Sequence, residues 1–116
     1  MRKLLIAVAV AAVAAASGPA TTALAAGKTI RVGDFFFVRD GADNPTVTVS
    51  KGTRVTFKWV GDATHNVRAD SGPVTFESKM KRGNDYRFRK TFRKKGRYRL
   101  VCDVHPSQMR MTLRVE

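Results

Sequence analysis

Apolar and polar residues alternate with a period of two in several segments of the chain. Residues 53–60 show the pattern most clearly, because three apolar side chains alternate there with three polar ones: Val55, Phe57 and Trp59 with Arg54, Thr56 and Lys58. The alternation recurs in residues 97–102 and 111–115, and less strictly in residues 86–92. Successive side chains of a β-strand point to opposite faces, so this pattern predicts strands with one buried and one exposed face.

Turn-forming residues separate the predicted strands. Two further strands are predicted in residues 29–37 and 46–49. The connecting segments are rich in Gly, Pro, Asn and Asp: Asp40-Gly41, Asn44-Pro45, Gly61-Asp62, Ser71-Gly72-Pro73, Arg82-Gly83-Asn84 and Lys95-Gly96. The sequence after residue 25 carries no helical periodicity. Many short strands in roughly 90 residues predict an all-β fold, a β-sandwich.

The N-terminal segment has the composition of a secretory signal peptide. A basic start precedes an unbroken apolar run over residues 4–16, and Ala23-Leu24-Ala25 supplies small residues at a cleavage site. The apolar run is shorter than the ~20 residues that a membrane span needs, so we expect cleavage rather than a retained anchor. The sequence thus predicts a signal peptide at residues 1–25 and one domain at residues 26–116. We expect export to the periplasm, the cell surface or the exterior.

The chain is strongly basic, with 22 Lys or Arg residues, 9 Asp or Glu residues and a formal net charge of +13 at pH 7. Eleven of the basic residues lie between Lys79 and Arg99, a segment with one acid, Asp85. Such a surface attracts an acidic protein or an anionic membrane or wall surface. Export and the lack of a recognition-helix pattern argue against nucleic acid as a partner. The alternative stays open that outward Arg and Lys side chains keep the sheets soluble and unassociated.

The residues with the most distinctive chemistry form the pattern Cys102-x2-His105-x3-Met109. Cys102 is the single cysteine of the chain, so it has no partner for an internal disulfide. A thiol in an exported protein is expected to be buried, cross-linked or bound to a metal. The other histidine of the chain, His65, shortly follows a predicted strand. Two His, one Cys and a weak axial Met form the ligand set of blue-copper sites, so the sequence predicts one copper ion here.

Several segments of the chain resemble the plastocyanin and amicyanin branch of the cupredoxins. They are residues 98–109, Thr64-His65-Asn66-Val67, Phe76-x-Ser78-x-Met80-x-x-Gly83 and residues 45–59. The likeness covers nearly the whole predicted domain. It implies a Greek-key β-sandwich with one copper ion, cycling between Cu(I) and Cu(II), near one end.

The resemblance also implies a role for each residue of the site. Three equatorial ligands and one axial ligand are implied: His65, Cys102, His105 and Met109. Asn66 would tie the two ligand-bearing loops together and tune the sulfur by hydrogen bonding. Three residues separate His105 from Met109, where the family usually has two or four, so Met111 is a rival axial ligand. Strand alternation places Met111 in the core. Met80 is either a core residue or a methionine near a copper route, and we expect it in the core.

These expectations favour a monomeric, exported carrier of electrons between redox partners, and not an enzyme. His105, flanked by Val104 and Pro106, is the expected port for the electron. Two other functions stay open: a copper carrier or buffer with the same ligands, and a metal-free sandwich that binds surfaces. A copper oxidase or nitrite reductase needs further copper ligands, and the two histidines are already used.

Overall fold

The structure is a computed structural model that describes residues 27–116. All ten regular elements in this range are β-strands, which confirms the all-β prediction. The predicted signal peptide, residues 1–25, lies outside the described residues. Within the described range, no helix has the length and apolar character of a membrane span.

The ten strands form two four-stranded sheets and one two-stranded sheet. Their bounds are β1 Gly27–Gly33, β2 Phe36–Phe37, β3 Thr46–Val49, β4 Thr53–Trp59, β5 Thr64–His65, β6 Arg68–Ser71, β7 Lys81–Arg82, β8 Arg87–Phe92, β9 Gly96–Val101 and β10 Arg110–Val115. The first sheet has the strand order β2-β1-β4-β8, the second has the order β3-β10-β9-β6, and β5 pairs with β7. Each large sheet contains one parallel pair of strands: β1 with β4 in the first sheet and β3 with β10 in the second. Both sheets are therefore mixed.

One hydrophobic core joins the two large sheets. Apolar residues of β4 and β10 enter it from opposite sides, and each is at most 2% exposed: Val55, Phe57, Trp59, Met111, Leu113 and Val115. Their sequence neighbours Arg54 and Arg114 are exposed, as the alternation predicted. Phe92 and Tyr98 meet edge to face with ring centroids 5.0 Å apart. Full burial of one such side chain contributes about 1.5–3 kcal/mol, so the core is a rigid base for the loops at its end.

The prediction of one strand over residues 29–37 is wrong, because the chain reverses at Asp34 and Phe35. The end of β1 pairs with β2 in an antiparallel hairpin. Phe35 has a φ of 72°, in the left-handed region that two-residue hairpin turns use. Gly33 permits the close approach of the strands, since a Cβ there would lie 2.1 Å from the ring of Phe36.

The prediction that Met80 lies in the core is also wrong, because its side chain is 47% exposed. It directly precedes β7, which is tied to the core by a hydrogen bond from Trp59 Nε1 to the carbonyl of Lys81, at 3.2 Å. Four aromatic side chains are buried in the core or half-buried against it: Trp59, Phe76, Phe88 and Phe92. The backbone of the segment is therefore anchored, while the side chain of Met80 faces solvent.

Candidate metal centre

His65 lies at the end of β5, on the connection that follows β4. It is paired with Lys81 of β7, and its side chain is fully buried. Beyond it, the N–H of Val67 donates to Ser78 Oγ at 2.9 Å, and the N–H of Ser78 donates to the Val67 carbonyl at 2.8 Å. These bonds fix the backbone on the C-terminal side of the histidine.

Cys102 and His105 lie in the loop between β9 and β10. Four backbone hydrogen bonds fold this loop into a compact turn, one of them from the N–H of Gln108 to the His105 carbonyl at 3.2 Å. The N–H of His105 donates to the Cys102 carbonyl at 3.2 Å, and the N–H of Met109 donates to the His105 carbonyl at 2.9 Å. The N–H of Cys102 donates to the Met109 carbonyl at 3.1 Å. Cys102 and Met109 are fully buried, whereas His105 is half-buried. Part of the His105 side chain therefore reaches the surface.

The structure brings together three of the residues that the sequence singled out, namely His65, Cys102 and His105. The sulfur of Cys102 lies 3.9 Å from Nδ1 of His65 and 3.8 Å from Nδ1 of His105. One ligand atom from each of the three residues lies within 4.8 Å of the others. Residues about forty positions apart in sequence thus converge on one point.

These distances fit a metal ion at the centre of the three atoms. With metal–thiolate bonds of about 2.3 Å and metal–imidazole bonds of about 2.0 Å, as in zinc proteins, a trigonal plane separates sulfur from nitrogen by ~3.7 Å. The observed separations, 3.9 and 3.8 Å, are close to that value. Soft thiolate together with imidazole is the donor set that suits copper. The spacing and chemistry of the cluster therefore fit one copper ion.

Met109 and Met111 are both buried, but they occupy different places. Met109 precedes β10, and its backbone bonds to Cys102 and to His105 within the loop. Met111 lies inside β10, opposite Leu100 of β9, among the core residues. The loop position of Met109 favours it as the thioether beside the cluster.

The side chain of Asn66 joins the two loops that carry the cluster. Nδ2 of Asn66 donates to Oδ2 of Asp103 at 2.8 Å. The backbone N–H of Asp103 donates in return to Oδ1 of Asn66, also at 2.8 Å. Arg68 contacts the same carboxylate, with a shortest N···O distance of 2.8 Å. The hydrogen bond from Asn66, followed by that from Arg68, lowers the pKa of Asp103 below its usual 3.8. Asn66, which follows His65, is therefore hydrogen-bonded to Asp103, which follows Cys102.

Asp34, in the β1–β2 turn, belongs to the site but was missed by the sequence analysis. Its carboxylate accepts hydrogen bonds from the N–H of Asp62 at 3.0 Å, from Nε2 of His65 at 2.9 Å and from the N–H of Ala63 at 2.9 Å. These bonds, in that order of effect, lower the pKa of Asp34 to about 2. An ionised carboxylate only accepts, so Nε2 of His65 carries a proton, and in the neutral imidazole this leaves the lone pair on Nδ1, the nitrogen that faces the thiol. The pair Gly33-Asp34 could have signalled the turn, but not its contact with a histidine 31 residues later.

Phe35 lies against the second histidine. Its ring meets that of His105 edge to face, with centroids 4.8 Å apart. Burial, and then the neighbouring His65, lower the pKa of His105 below its usual 6.5. Its imidazole is therefore neutral at neutral pH, the form that binds metal. Phe35 and Val104 are 50% and 46% exposed, so exposed apolar groups flank this histidine in space and in sequence.

Comparison with known proteins relates this geometry to copper proteins. The family described as copper binding proteins, plastocyanin/azurin family, matches residues 41–116. A search of the curated proteins finds no match. Among solved structures, the Cu-containing nitrite reductase from Thermus scotoductus SA-01 is similar with a TM-score of 0.67 and 23% identity over 87% of this chain. The chain spans 25% of the length of that protein.

Amicyanin structures are similar over most of both chains. A reduced Cu(I) form of one amicyanin variant at pH 4 has a TM-score of 0.64 and 22% identity, covering 81% of this chain and 86% of that one. The Cu(I) form of another variant has a TM-score of 0.64 and 24% identity, covering 78% and 82%. At these identities the structural likeness establishes the fold. With the family match and a donor set that fits copper, the chain belongs to the plastocyanin/azurin family of copper-binding proteins, the cupredoxins.

Proposed function

We propose that this protein holds one copper ion with His65, Cys102 and His105 as equatorial ligands and Met109 as the axial ligand, and carries electrons between redox partners. One observation carries the proposal: the Cys102 sulfur lies 3.9 and 3.8 Å from the Nδ1 atoms of the two histidines. Such a set with a weak axial thioether is the ligand arrangement of electron-transfer copper sites. The family assignment supports the same metal.

Copper supplies a one-electron couple that the side chains alone lack. The chain supplies a dry and rigid pocket, because His65, Cys102 and Met109 are fully buried at the end of the core. The Asn66–Asp103 bridge keeps the two ligand-bearing loops at one separation. Ligands held in this way move little when the charge of the site changes, and a small rearrangement favours fast electron transfer.

The half-buried ring of His105 is the proposed port for the electron. Its three companions in the proposed site are fully buried, so this ring brings the site nearest to the surface. The exposed side chains of Phe35 and Val104 offer apolar contact area at the same place. Apolar groups at the centre of a small interface exclude water and permit close approach of a partner's redox centre.

A row of positive residues crosses the first sheet, and we propose that it steers an acidic redox partner. Arg31 of β1 lies opposite Lys58 of β4, which lies opposite Arg87 of β8. Like charges at directly opposite positions destabilise a sheet, so the row is costly to the fold itself. Its field accelerates encounter with an anionic surface and weakens as salt is added. An anionic membrane or wall surface is the competing partner, distinguishable by binding to vesicles of acidic lipid.

Export to the periplasm, cell surface or exterior is part of this proposal, supported by the composition of residues 1–25. Electron carriage is better supported than copper delivery, because burial of three of the four proposed ligands hinders transfer of the metal to an acceptor.

The likeness to a nitrite reductase extends over 25% of that enzyme. Both histidines of this chain face Cys102, which leaves none for a second copper centre, so we propose a carrier rather than an enzyme. We also propose that the carrier is a monomer.

Copper loading tests the proposed site. Addition of Cu(II) to the purified protein is expected to give intense thiolate-to-copper absorption, narrow copper hyperfine splitting in paramagnetic resonance and one copper per chain. Cys102→Ala abolishes the absorption, whereas Ser107→Ala, at an exposed position of the same loop, retains it. A colourless wild-type protein that binds less than one copper refutes the proposal.

A second measurement separates electron carriage from copper delivery. The loaded protein is cycled between its oxidised and reduced states in the presence of a copper chelator. An electron carrier keeps its metal through repeated cycles and shows rapid self-exchange. Loss of copper to the chelator in the reduced state would identify a copper carrier with the same ligands.

A further inference from the structure

The turn between β1 and β2 contacts both histidines of the site. Asp34 is hydrogen-bonded to His65, and Phe35 packs against His105. Both turn residues precede residue 41, where the match to the copper-binding family begins. The family match therefore does not include this turn.

We propose that Asp34 is a positioning residue of the copper site, whose carboxylate fixes the ring of His65 with Nδ1 toward Cys102 and stabilises Cu(II) relative to Cu(I). The inference rests on the proposed copper function and deepens it, since it assigns one determinant of the reduction potential. A carboxylate bonded to the far nitrogen of a ligating imidazole orients the ring and raises its basicity. A more basic ligand beside a negative charge favours the more highly charged state of the metal.

Three hydrogen bonds hold the carboxylate of Asp34 in place. Oδ1 accepts from Nε2 of His65 and from the N–H of Ala63, both at 2.9 Å, and Oδ2 accepts from the N–H of Asp62 at 3.0 Å. The side chain is 35% exposed, so water screens part of its charge. Its influence is therefore expected to pass mainly through the direct bond to the buried ring of His65.

Gly61 makes room for this contact. A Cβ at that position would lie 2.2 Å from Oδ1 of Asp34 and 2.7 Å from its backbone nitrogen. Neither the carboxylate nor the backbone of the turn could then keep its place. The glycine therefore lets the β1–β2 turn lie directly on the loop that leads to His65.

The copper-loaded protein provides the first test. Asp34→Asn keeps the size of the side chain and a carbonyl acceptor but removes the negative charge. We expect the ratio of Cu(II) to Cu(I) affinity to fall about tenfold, which for one electron is a rise of about 59 mV in the reduction potential. Asp43→Asn, an equal change of charge at an exposed residue of the β2–β3 loop, is the matched control and should leave the potential unchanged.

The metal-free protein provides the second test, which does not depend on copper. Nitrogen-15 spectra of the imidazoles should show His65 protonated at Nε2 in the wild type. Asp34→Ala should give a mixture of the two ring tautomers, and Gly61→Ala should do the same by displacing the turn. A wild-type His65 protonated at Nδ1, or spectra unchanged in both variants, overturns the positioning role.

The outcomes distinguish this inference from the proposed function. A blue wild type with the same potential in Asp34→Asn and Asp43→Asn refutes the role of Asp34 and leaves the copper carrier intact. A colourless wild type refutes the carrier and, with it, the influence of Asp34 on potential. A blue wild type with a raised potential in Asp34→Asn alone, and with the expected His65 tautomer, supports both.

Discussion

Replacement of Asn66 by alanine should loosen the two ligand-bearing loops from each other while the core stays intact. The variant loses the bond from Nδ2 to the Asp103 carboxylate and the bond from the Asp103 N–H to Oδ1, both 2.8 Å long. Arg68 keeps its contact with Asp103, so the carboxylate is not left without a partner. Asn66 is 2% exposed, so the substitution also leaves a small space in a closely packed region.

The size of the effect follows from the two bonds. A hydrogen bond to a charged group contributes about 1.5–3 kcal/mol and a neutral one about 0.5–1.5 kcal/mol. The N–H of Asp103 can reach water in the variant, because Asp103 is exposed. We therefore expect Asn66→Ala to lower the free energy of unfolding by about 2–3 kcal/mol, and the Tm by about 8–24 °C for a domain of this size.

Urea unfolding of the metal-free protein, followed by circular dichroism, measures this change. Asn84→Ala, at an exposed residue between β7 and β8, is the matched control and should stay within about 0.5 kcal/mol of wild type. The copper-loaded variant should also release its metal faster, because the separation of the loops is no longer fixed. Equal urea midpoints and equal metal release for the two variants would show that the bridge does not hold the site together.

Three further predictions concern other parts of the molecule. Met109→Leu should raise the reduction potential while the blue colour persists, whereas Met111→Leu, a substitution of similar volume in the core, should leave the potential unchanged; equal shifts would contradict the assignment of Met109. Lys58→Gln should slow electron transfer with an acidic redox protein at low salt and flatten its dependence on ionic strength, as stopped-flow kinetics would show; an unaltered salt slope would exclude this row from steering. Burial raises the pKa of Tyr98 above its usual 10.0, so the unfolded chain releases this proton first. The stability of the metal-free wild type should therefore fall as pH rises above 10.0, and this fall should be smaller in Tyr98→Phe, which loses the 2.7 Å bond to the Lys94 carbonyl; parallel pH curves for the two proteins would contradict it.

Periodicity was sufficient to predict β4 and β10, two of the strands that form the core. In β4 and β10 the apolar residues alternate without interruption, and burial follows the same alternation. The convergence of His65 with Cys102 and His105 could be expected because the chain holds only these two histidines and this one cysteine. Because histidine and cysteine are so rare in this chain, the residues of the metal site could be predicted from the sequence.

The β1–β2 turn was not predicted because its sequence resembles a strand. Three consecutive phenylalanines begin at Phe35, and a run of aromatic residues favours extended structure. The turn is fixed instead by tertiary contacts, since Asp34 finds its partners near His65 and Phe35 finds His105. Met80 was misplaced for a related reason, because its apolar side chain carries no local sign of whether the core has room for it.

The crowding of Arg31, Lys58 and Arg87 across three neighbouring strands makes the folded state sensitive to the ions around it. Small multivalent anions that associate with this row relieve the repulsion between its members, and they do so only while the strands remain paired. Phosphate or sulfate should then raise the melting temperature more than chloride at equal ionic strength. The measured stability of the protein therefore depends on the buffer anion. The stabilities of variants can be compared only when all are measured with the same anion.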